Sequence, residues 1–298
     1  MAKWMIEKYR AGHSKIRCPQ CGRKSFTRYV LTEEYNAGNI VYAGDEFGIC
    51  DHKNSCGYHL YPKKGARPST PIARPEEKPP QYYDMGIVEQ TCGNPLHNTL
   101  AQYLIGTGKF DSTKLLQLFC LYNVGSTKDY KTVFWQIDHQ GRVHRGKVMG
   151  YKPDGHRLKY KDQEGKEVAD VSSVRVKLKR PMDIEPQACY FGQHLYKADA
   201  TIGLVESEKT ALIAAYVYPQ ITWMATGTLN CFKSSYLMFA KSNPIVIFPD
   251  VDGYDKWEEE AQKLIERGFK ITVNDFVLNG KNKEDIADIL LNIMKSAT

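Results

Sequence analysis

The sequence predicts an α/β domain with a parallel sheet and helices on both faces over its last third. A basic α+β subdomain and a small cysteine-bearing β unit precede it. Three observations carry this. From residue 201, short apolar runs rich in β-branched residues ("TIGLVE", "ITWMAT", "PIVIFPD", "FKITVNDF") alternate with helical stretches at about 208–217, 229–240, 254–267 and 283–294. Strand–helix alternation of this kind implies parallel strands. Closely spaced cysteines mark residues 18–56, and six prolines crowd into 61–83. Proline and charge together make that stretch an extended, solvated linker rather than a packed element.

The 298 residues can hold two or three domains, and a hydrophobic share of 42% is ordinary for a globular chain. Net charge is +7, a mild pointer to a polyanionic partner. The charge is uneven. Residues 1–80 carry 14 Lys+Arg against 8 Asp+Glu, a net of +6. Residues 140–180 carry 12 against 5, a net of +7. Residues 250–298 carry 7 against 11, a net of −4. Two basic blocks to meet a polyanion thus precede an acidic block that attracts cations. No apolar run approaches the 18 residues of a membrane span, and "MAKWMIEKYR" is charged from its start. The expectation is a cytoplasmic protein without a membrane partner, whose paired thiols hold metal rather than disulfides.

In chain order, residues 1–62 come first. "CPQCG" sets Cys18 and Cys21 two residues apart, and Gly22 supplies the positive φ that such a turn needs. "CDHKNSCGYH" offers Cys50, His52, Cys56 and His59. Cys56–Gly57 copies the end of the first turn, but Lys53 stands where its partner belongs and cannot ligate as a cation. Cys18, Cys21, Cys50 and Cys56 are the expected ligands of one structural zinc, with His59 in reserve. Residues 24–49 alternate enough to form the hairpins of a zinc ribbon. "RKSFTRYV" interleaves Arg23, Lys24 and Arg28 with Phe26 and Tyr29, a mixture that suits single-stranded nucleic acid or a plain solvated face.

After the linker (63–83), the subdomain 84–200 opens with two short helices in 95–122, broken at Gly106–Gly108. "TVFWQIDHQGRVHRGKVMGY" and "SSVRVKLK" follow as antiparallel strands with a tight "DHQG" turn. In the final domain (201–298), one strand ends in Glu206 with Glu208 just beyond, and a later one ends in Asp250 and Asp252. At the carboxyl edge of a parallel sheet such acids converge on one crevice. Two-residue spacing within a strand points Asp250 and Asp252 the same way. Carboxylates gathered there repel one another unless hard divalent cations neutralise them. "KNKEDIADIL" adds Asp285 after the last strand.

This order of a strand ending in Glu, a strand ending in Asp-x-Asp and a further acidic cluster resembles the Toprim domain of topoisomerases, primases and related nucleases. The likeness covers residues 201–290. It implies a catalytic, acid/base or metal-linked role for Glu206, catalytic Mg²⁺ or Mn²⁺ on Asp250 and Asp252, and Asp285 as a further ligand. Ser207 departs from the glycine usual after the Glu. Upstream, Ile137, Asp138, Gly141, Val143 and Gly146 lie on a pattern similar to the subdomain before Toprim in bacterial-type primases. "YFGQHL" resembles the element that leads into it. The resemblance implies that Arg142, Arg145, Lys147, Lys152, Arg157, Lys159 and Lys209 hold nucleic acid or nucleotide.

Zinc ribbon, linker, basic subdomain and Toprim, taken together, resemble the compact primases of phages and mobile elements. The implied activity is template-directed synthesis of short RNA primers on single-stranded DNA from nucleoside triphosphates. No "GxxxxGK[ST]" is present, so a separate replicative helicase is the expected partner. Two alternatives stand beside it: a non-catalytic DNA-binding protein of recombination-mediator type, and a Toprim nuclease.

Overall fold

A computed structural model describes residues 3–8, 15–52, 55–62, 66, 68–74, 79–161, 165–177, 186–275 and 285–294. Parts of the predicted linker (63–65, 67 and 75–78), of "SSVRVKLK" (178–179) and of "KNKEDIADIL" (281–284) lie outside the described residues. The chain divides into two units, 1–80 and 81–298.

In the first unit the long strand β3 is central. Its elements are β1 (Trp4–Ile6), β2 (Ile16–Arg17), β3 (Lys24–Leu31), α1 (Thr32–Asn36), β4 (Asn39–Ile40), β5 (Gly48–Cys50), β6 (His59–Leu60) and β7 (Ile72–Ala73). Antiparallel pairing runs β1-β3-β5-β6, with β2 also on β3. Two small apolar clusters hold the unit, one around Val30, Tyr35, Ile40 and Tyr42, the other around Cys18, Phe26 and Cys50. Part of the proline-rich stretch packs onto it. β7 pairs with β4, the Tyr42 amide donates to Ser69 Oγ at 2.9 Å, and the Arg74 guanidinium lies 5.2 Å from the Tyr35 ring centre.

The second unit opens with three helices, α2 (Met85–Cys92), α3 (Thr99–Gly106) and α4 (Ser112–Leu121). Asp84, Asn98 and Asp111 cap them by accepting amide hydrogen bonds from their first turns. Next come β8 (Val124–Ser126), β9 (Thr132–Ile137), β10 (Val143–Met149), β11 (Lys159–Lys161), β12 (Glu167–Ala169), β13 (Val171–Ser173) and α5 (Val174–Lys177). An antiparallel sheet runs β13-β10-β9-β8, and β11 pairs with β12. "SSVRVKLK" is thus only briefly a strand, because the chain turns helical at Val174.

From residue 202 the pattern is β14 (Ile202–Val205), α6 (Glu208–Val217), β15 (Thr222–Ala225), α7 (Ser234–Leu237), β16 (Pro244–Ile247), α8 (Tyr254–Glu266), β17 (Lys270–Val273) and α9 (Ile286–Ile293). These four strands pair in parallel, in the order β15-β14-β16-β17. Most other pairings among the described residues are antiparallel. Alternation along β14 sends Ile202 and Leu204 into a core shared with Trp257 and Leu264 of α8. Val205 faces the other way, into the core of α6 and α9. The predicted helix over 229–240 is three short pieces: single 3₁₀ turns at Leu229–Cys231 and Met238–Ala240, with α7 between them. Phe232 causes the break. It is 4% exposed, stacks on Trp257 at 4.8 Å, and is followed by Lys233 in extended backbone. Among the described residues no helix is long and apolar enough to cross a membrane.

The tightest point of the parallel sheet is Gly203. A Cβ there would stand 2.6–2.9 Å from the ring of Trp223, itself 1% exposed. Gly203→Ala should therefore destabilise the second unit by about 1–3 kcal/mol through overpacking, although alanine suits a strand better than glycine does. Urea unfolding followed by tryptophan fluorescence measures this, and an unchanged midpoint would contradict it.

Candidate functional site

The cysteines come together as the spacing predicts. Sγ atoms of Cys18, Cys21, Cys50 and Cys56 all lie within 4.8 Å of one another, the only such group of ligands among the described residues. Cys18 and Cys56 are 3.7 Å apart, and Cys21 and Cys50 are 3.9 Å apart. Four thiolates at 2.3 Å from one zinc stand about 3.8 Å apart in a tetrahedron, so the set fits structural zinc. Gly22 and Gly57 take φ of 68° and 66°. In the second turn the amides of Cys56 and Gly57 both donate to the His52 carbonyl, while Cys50 enters from the end of β5. His59, the reserve ligand, is engaged elsewhere, its Nε2 2.8 Å from the Tyr29 hydroxyl. The aromatic members of "RKSFTRYV" do not face solvent: Phe26 is 1% and Tyr29 6% exposed. Arg28 pairs with Asp45 and lies over the Tyr42 ring. As a stacking surface that stretch is closed.

In the second unit the parallel sheet positions the acids. Connections leave β14 to one side for β15 and return to its other side at β16, so the strand order reverses between β14 and β16. A ligand crevice is expected outside the carboxyl ends at such a switch point. Glu206 follows β14 there, and Asp250 stands three residues beyond β16. The strand stops at Ile247, so the two-residue alternation argument does not apply to the Asp pair. Asp250 sits in extended backbone, and Asp252 lies in a 3₁₀ turn (Val251–Gly253) and is exposed. No three of the predicted acids bring carboxylate oxygens within 4.8 Å of one another among the described residues, yet their charges act on one another. Burial, then the charges of Asp285, Glu206 and Asp252, push the Asp250 carboxyl up to about 7. Burial first, and the Asp252 charge, also raise Glu206, against the pull of Arg157 and Lys147. Asp285 caps α9, where its Oδ1 accepts from the Asp288 amide at 3.1 Å while its Oδ2 accepts from Thr210 Oγ1 at 2.6 Å.

Asp250 and Asp285 form one wall of a cleft of about 470 Å³, whose other lining includes Lys152, His156, Arg157, Lys159, Ser207 and Lys209. The loop 151–157 shapes the basic wall. Its Gly155 has φ +79°, and a Cβ there would stand 2.3 Å from the Tyr103 ring, so only glycine fits. Four of the seven predicted cations therefore meet the acids. The other three do not line the cleft. Lys147 Nζ donates to both oxygens of Glu208 at 2.8 and 3.0 Å, and Glu208 is 1% exposed. Arg142 and Arg145 lie at the other end of β10, where Arg142 bonds Asp138 and Arg145 donates to the Pro186 carbonyl. Burial raises the Asp138 carboxyl, but hydrogen bonds from His144 and Arg142 outweigh it and hold the group down to about 2.

Glu208 is the group that sequence reasoning left without a role. The available signal was its place on the apolar face of α6 with Ala211, Leu212 and Ala215, since a charge there must find a partner.

A family model described as a domain of unknown function, DUF6371, matches residues 98–251. A zinc beta-ribbon finger model matches residues 2–70. No curated protein matches the chain. Among solved structures, the primase fragment of the bacteriophage T7 primase-helicase is similar over 93% of this chain and 94% of its own, at 14% identity and a TM-score of 0.44. The RNA polymerase domain of the Mycobacterium tuberculosis primase DnaG is similar over 70% and 77%, at 13% identity and 0.43. The zinc-binding and RNA polymerase domains of the Aquifex aeolicus primase are similar over 98% and 81%, at 13% identity and 0.38. At these scores the likenesses assign neither fold nor activity.

The zinc site yields a direct expectation of one zinc per chain. Cys18→Ser, Cys50→Ser and Cys56→Ser should each release it and unfold the first unit, whose core is small without metal. His59→Ala should keep it. Metal analysis by atomic emission, with circular dichroism, reads both. Zinc lost from His59→Ala and kept by Cys50→Ser would mean that the fourth ligand is wrong.

Proposed function

We propose that this chain, which belongs to the family of the domain of unknown function DUF6371, is a primase-like nucleotidyltransferase with a Toprim-type acidic site. The reaction is template-directed synthesis of short RNA primers on single-stranded DNA from nucleoside triphosphates. One observation carries the reading: Asp250, at the sheet's switch point, and Asp285 share a cleft with a basic wall. That pairing of charges matches a triphosphate accompanied by divalent cations.

Carboxylate oxygen is the donor a hard cation takes, Asp250 and Asp285 line the cleft, and burial together with neighbouring acids raises the Asp250 carboxyl. Magnesium or manganese held by Glu206, Asp250, Asp252 and Asp285 would supply Lewis-acid stabilisation of the charge that develops on the phosphate. The chain's own residues do the rest. Lys152, Arg157, Lys159 and Lys209 neutralise and orient the triphosphate. Glu206, raised by its burial, is suited to take the proton from the attacking 3′-hydroxyl oxygen. The zinc-bearing unit would hold the template, and a separate helicase would open the duplex.

Incubation with single-stranded template, Mg²⁺ and labelled nucleotides tests the reading. Oligomers support it, template degradation marks a nuclease, and a mobility shift alone marks a binding protein. Asp250→Asn, Asp252→Asn and Glu206→Gln should fold and still bind DNA, yet lose synthesis by at least about a hundredfold. Synthesis that survives the two Asn substitutions at ordinary Mg²⁺ would remove the acids from the mechanism.

A pH dependence follows for the metal-free protein. An acid raised in the folded state binds its proton more tightly there than in the unfolded chain, where it titrates near 3.9. Folded stability should then fall as pH rises from about 4 to about 7. Asp250→Asn removes this penalty, so it should raise the melting temperature at pH 8 and leave it nearly unchanged at pH 4. Equal shifts at both pH values would contradict the placement of Asp250.

A further inference from the structure

The turn end of the β9–β10 hairpin forms a second cleft, of about 260 Å³, that shares no lining residue with the basic one. The length of β10, roughly 20 Å at 3.3 Å per residue, separates Arg142 from the loop that carries Lys152. Asp138 is fully engaged at the base of this cleft. Its Oδ1 accepts from the Gln140 and Arg142 amides, and its Oδ2 from Arg142 Nε and His144 Nε2, at 2.7–2.9 Å. The Nδ1 of His144 faces the Gln187 carbonyl oxygen. These groups have little left for a metal ion. Arg142 offsets Asp138, and Arg145, which does not line the cleft, adds positive charge near its lining residues Cys189 and Tyr236.

Aromatic rings line the same cleft. His139 stacks on Phe239 at 5.2 Å and 15°, and Tyr236 stacks on Tyr190 at 5.8 Å and 13°. Met238, 57% exposed, stands at the rim. Flat rings beside arginines bind a base and its phosphate. The volume lies below the roughly 300–1,000 Å³ of sites for larger ligands, so it suits one ring system and not a triphosphate. We propose that this cleft binds a single nucleotide, its base against Phe239 and Tyr236 and its phosphate on Arg142. The site stands apart from the acidic cleft and does not depend on primer synthesis there.

The full-length zinc-loaded Asp250→Asn protein, without Mg²⁺, tests this with two probes: AMP, and a short single-stranded oligonucleotide bearing 5-iodouracil. The iodouracil should crosslink, on irradiation, to Tyr236 or Phe239, located by mass spectrometry. Met238→Glu, at unchanged melting temperature, and Arg142→Gln, assayed where circular dichroism shows it folded, should each weaken oligonucleotide binding roughly tenfold. Should Met238→Glu fail to fold, the crosslink and Arg142→Gln still decide. Displacement of the oligonucleotide by AMP identifies a free nucleotide as ligand, and oligonucleotide binding that AMP cannot displace identifies a nucleotide within a strand. Three results would overturn the proposal: crosslinks confined to 151–159 or to the zinc-bearing unit, binding unmoved in both variants, or displacement by inorganic phosphate as readily as by AMP.

Discussion

The second unit turns on one buried contact, the ion pair of Lys147 with Glu208. Lys147 belongs to the antiparallel sheet, and Glu208 begins the helix that leaves the first parallel strand. The lysine reaches across and donates a hydrogen bond to each carboxylate oxygen. A charge 1% exposed is tolerable only when so matched. Removal of either partner would strand the other in apolar surroundings. The pair also has a local consequence, for Glu206 stands two residues before Glu208 and feels the same lysine. Gly227 completes the arrangement: its amide donates to the Glu206 carbonyl at 2.8 Å, and a Cβ on it would come within 3.2 Å of Glu208 Oε1. Packing of the two sheets and placement of the first candidate acid are thus one problem with one solution.

Around that anchor the charges sort by distance along strand and loop. Lys152 and Arg157 on the loop after β10, with Lys159 of β11, line the cleft of the acids. Arg142, at the turn end, lines a different cleft, because a rigid strand holds its two ends apart. The net charge of 140–180 is therefore a poor guide to a single binding track. It mixes residues of two separate surfaces with an internal counter-ion, Lys147.

Much of this was legible in the sequence where local chemistry decides the outcome. The Cys-x-x-Cys turn with its glycine fixes its own geometry, and the β-branched runs after residue 201 give parallel strands at 202–205, 222–225, 244–247 and 270–273. Legibility fails where a tertiary contact overrides a local pattern. Helical periodicity over 229–240 gives way to Phe232, which packs against Trp257. The two-residue spacing of Asp250 and Asp252 reads as strand alternation, yet the strand has ended at Ile247. Arg142 and Lys152 look like neighbours in a list of cations, and no sequence rule measures the strand between them. His59 resembles a ligand by type and spacing, but Tyr29 claims it.

Asp285 holds two posts at once. It begins α9 by capping its first turn, with Asp288 reciprocating, and it is also a wall of the basic cleft. A cap is strong only while its carboxylate stays on the helix amides. A cation that draws Asp285 off the helix amides would loosen the first turn of α9. The occupancy of the cleft is thereby written into the hydrogen exchange of amides on the neighbouring helix, away from any reacting atom.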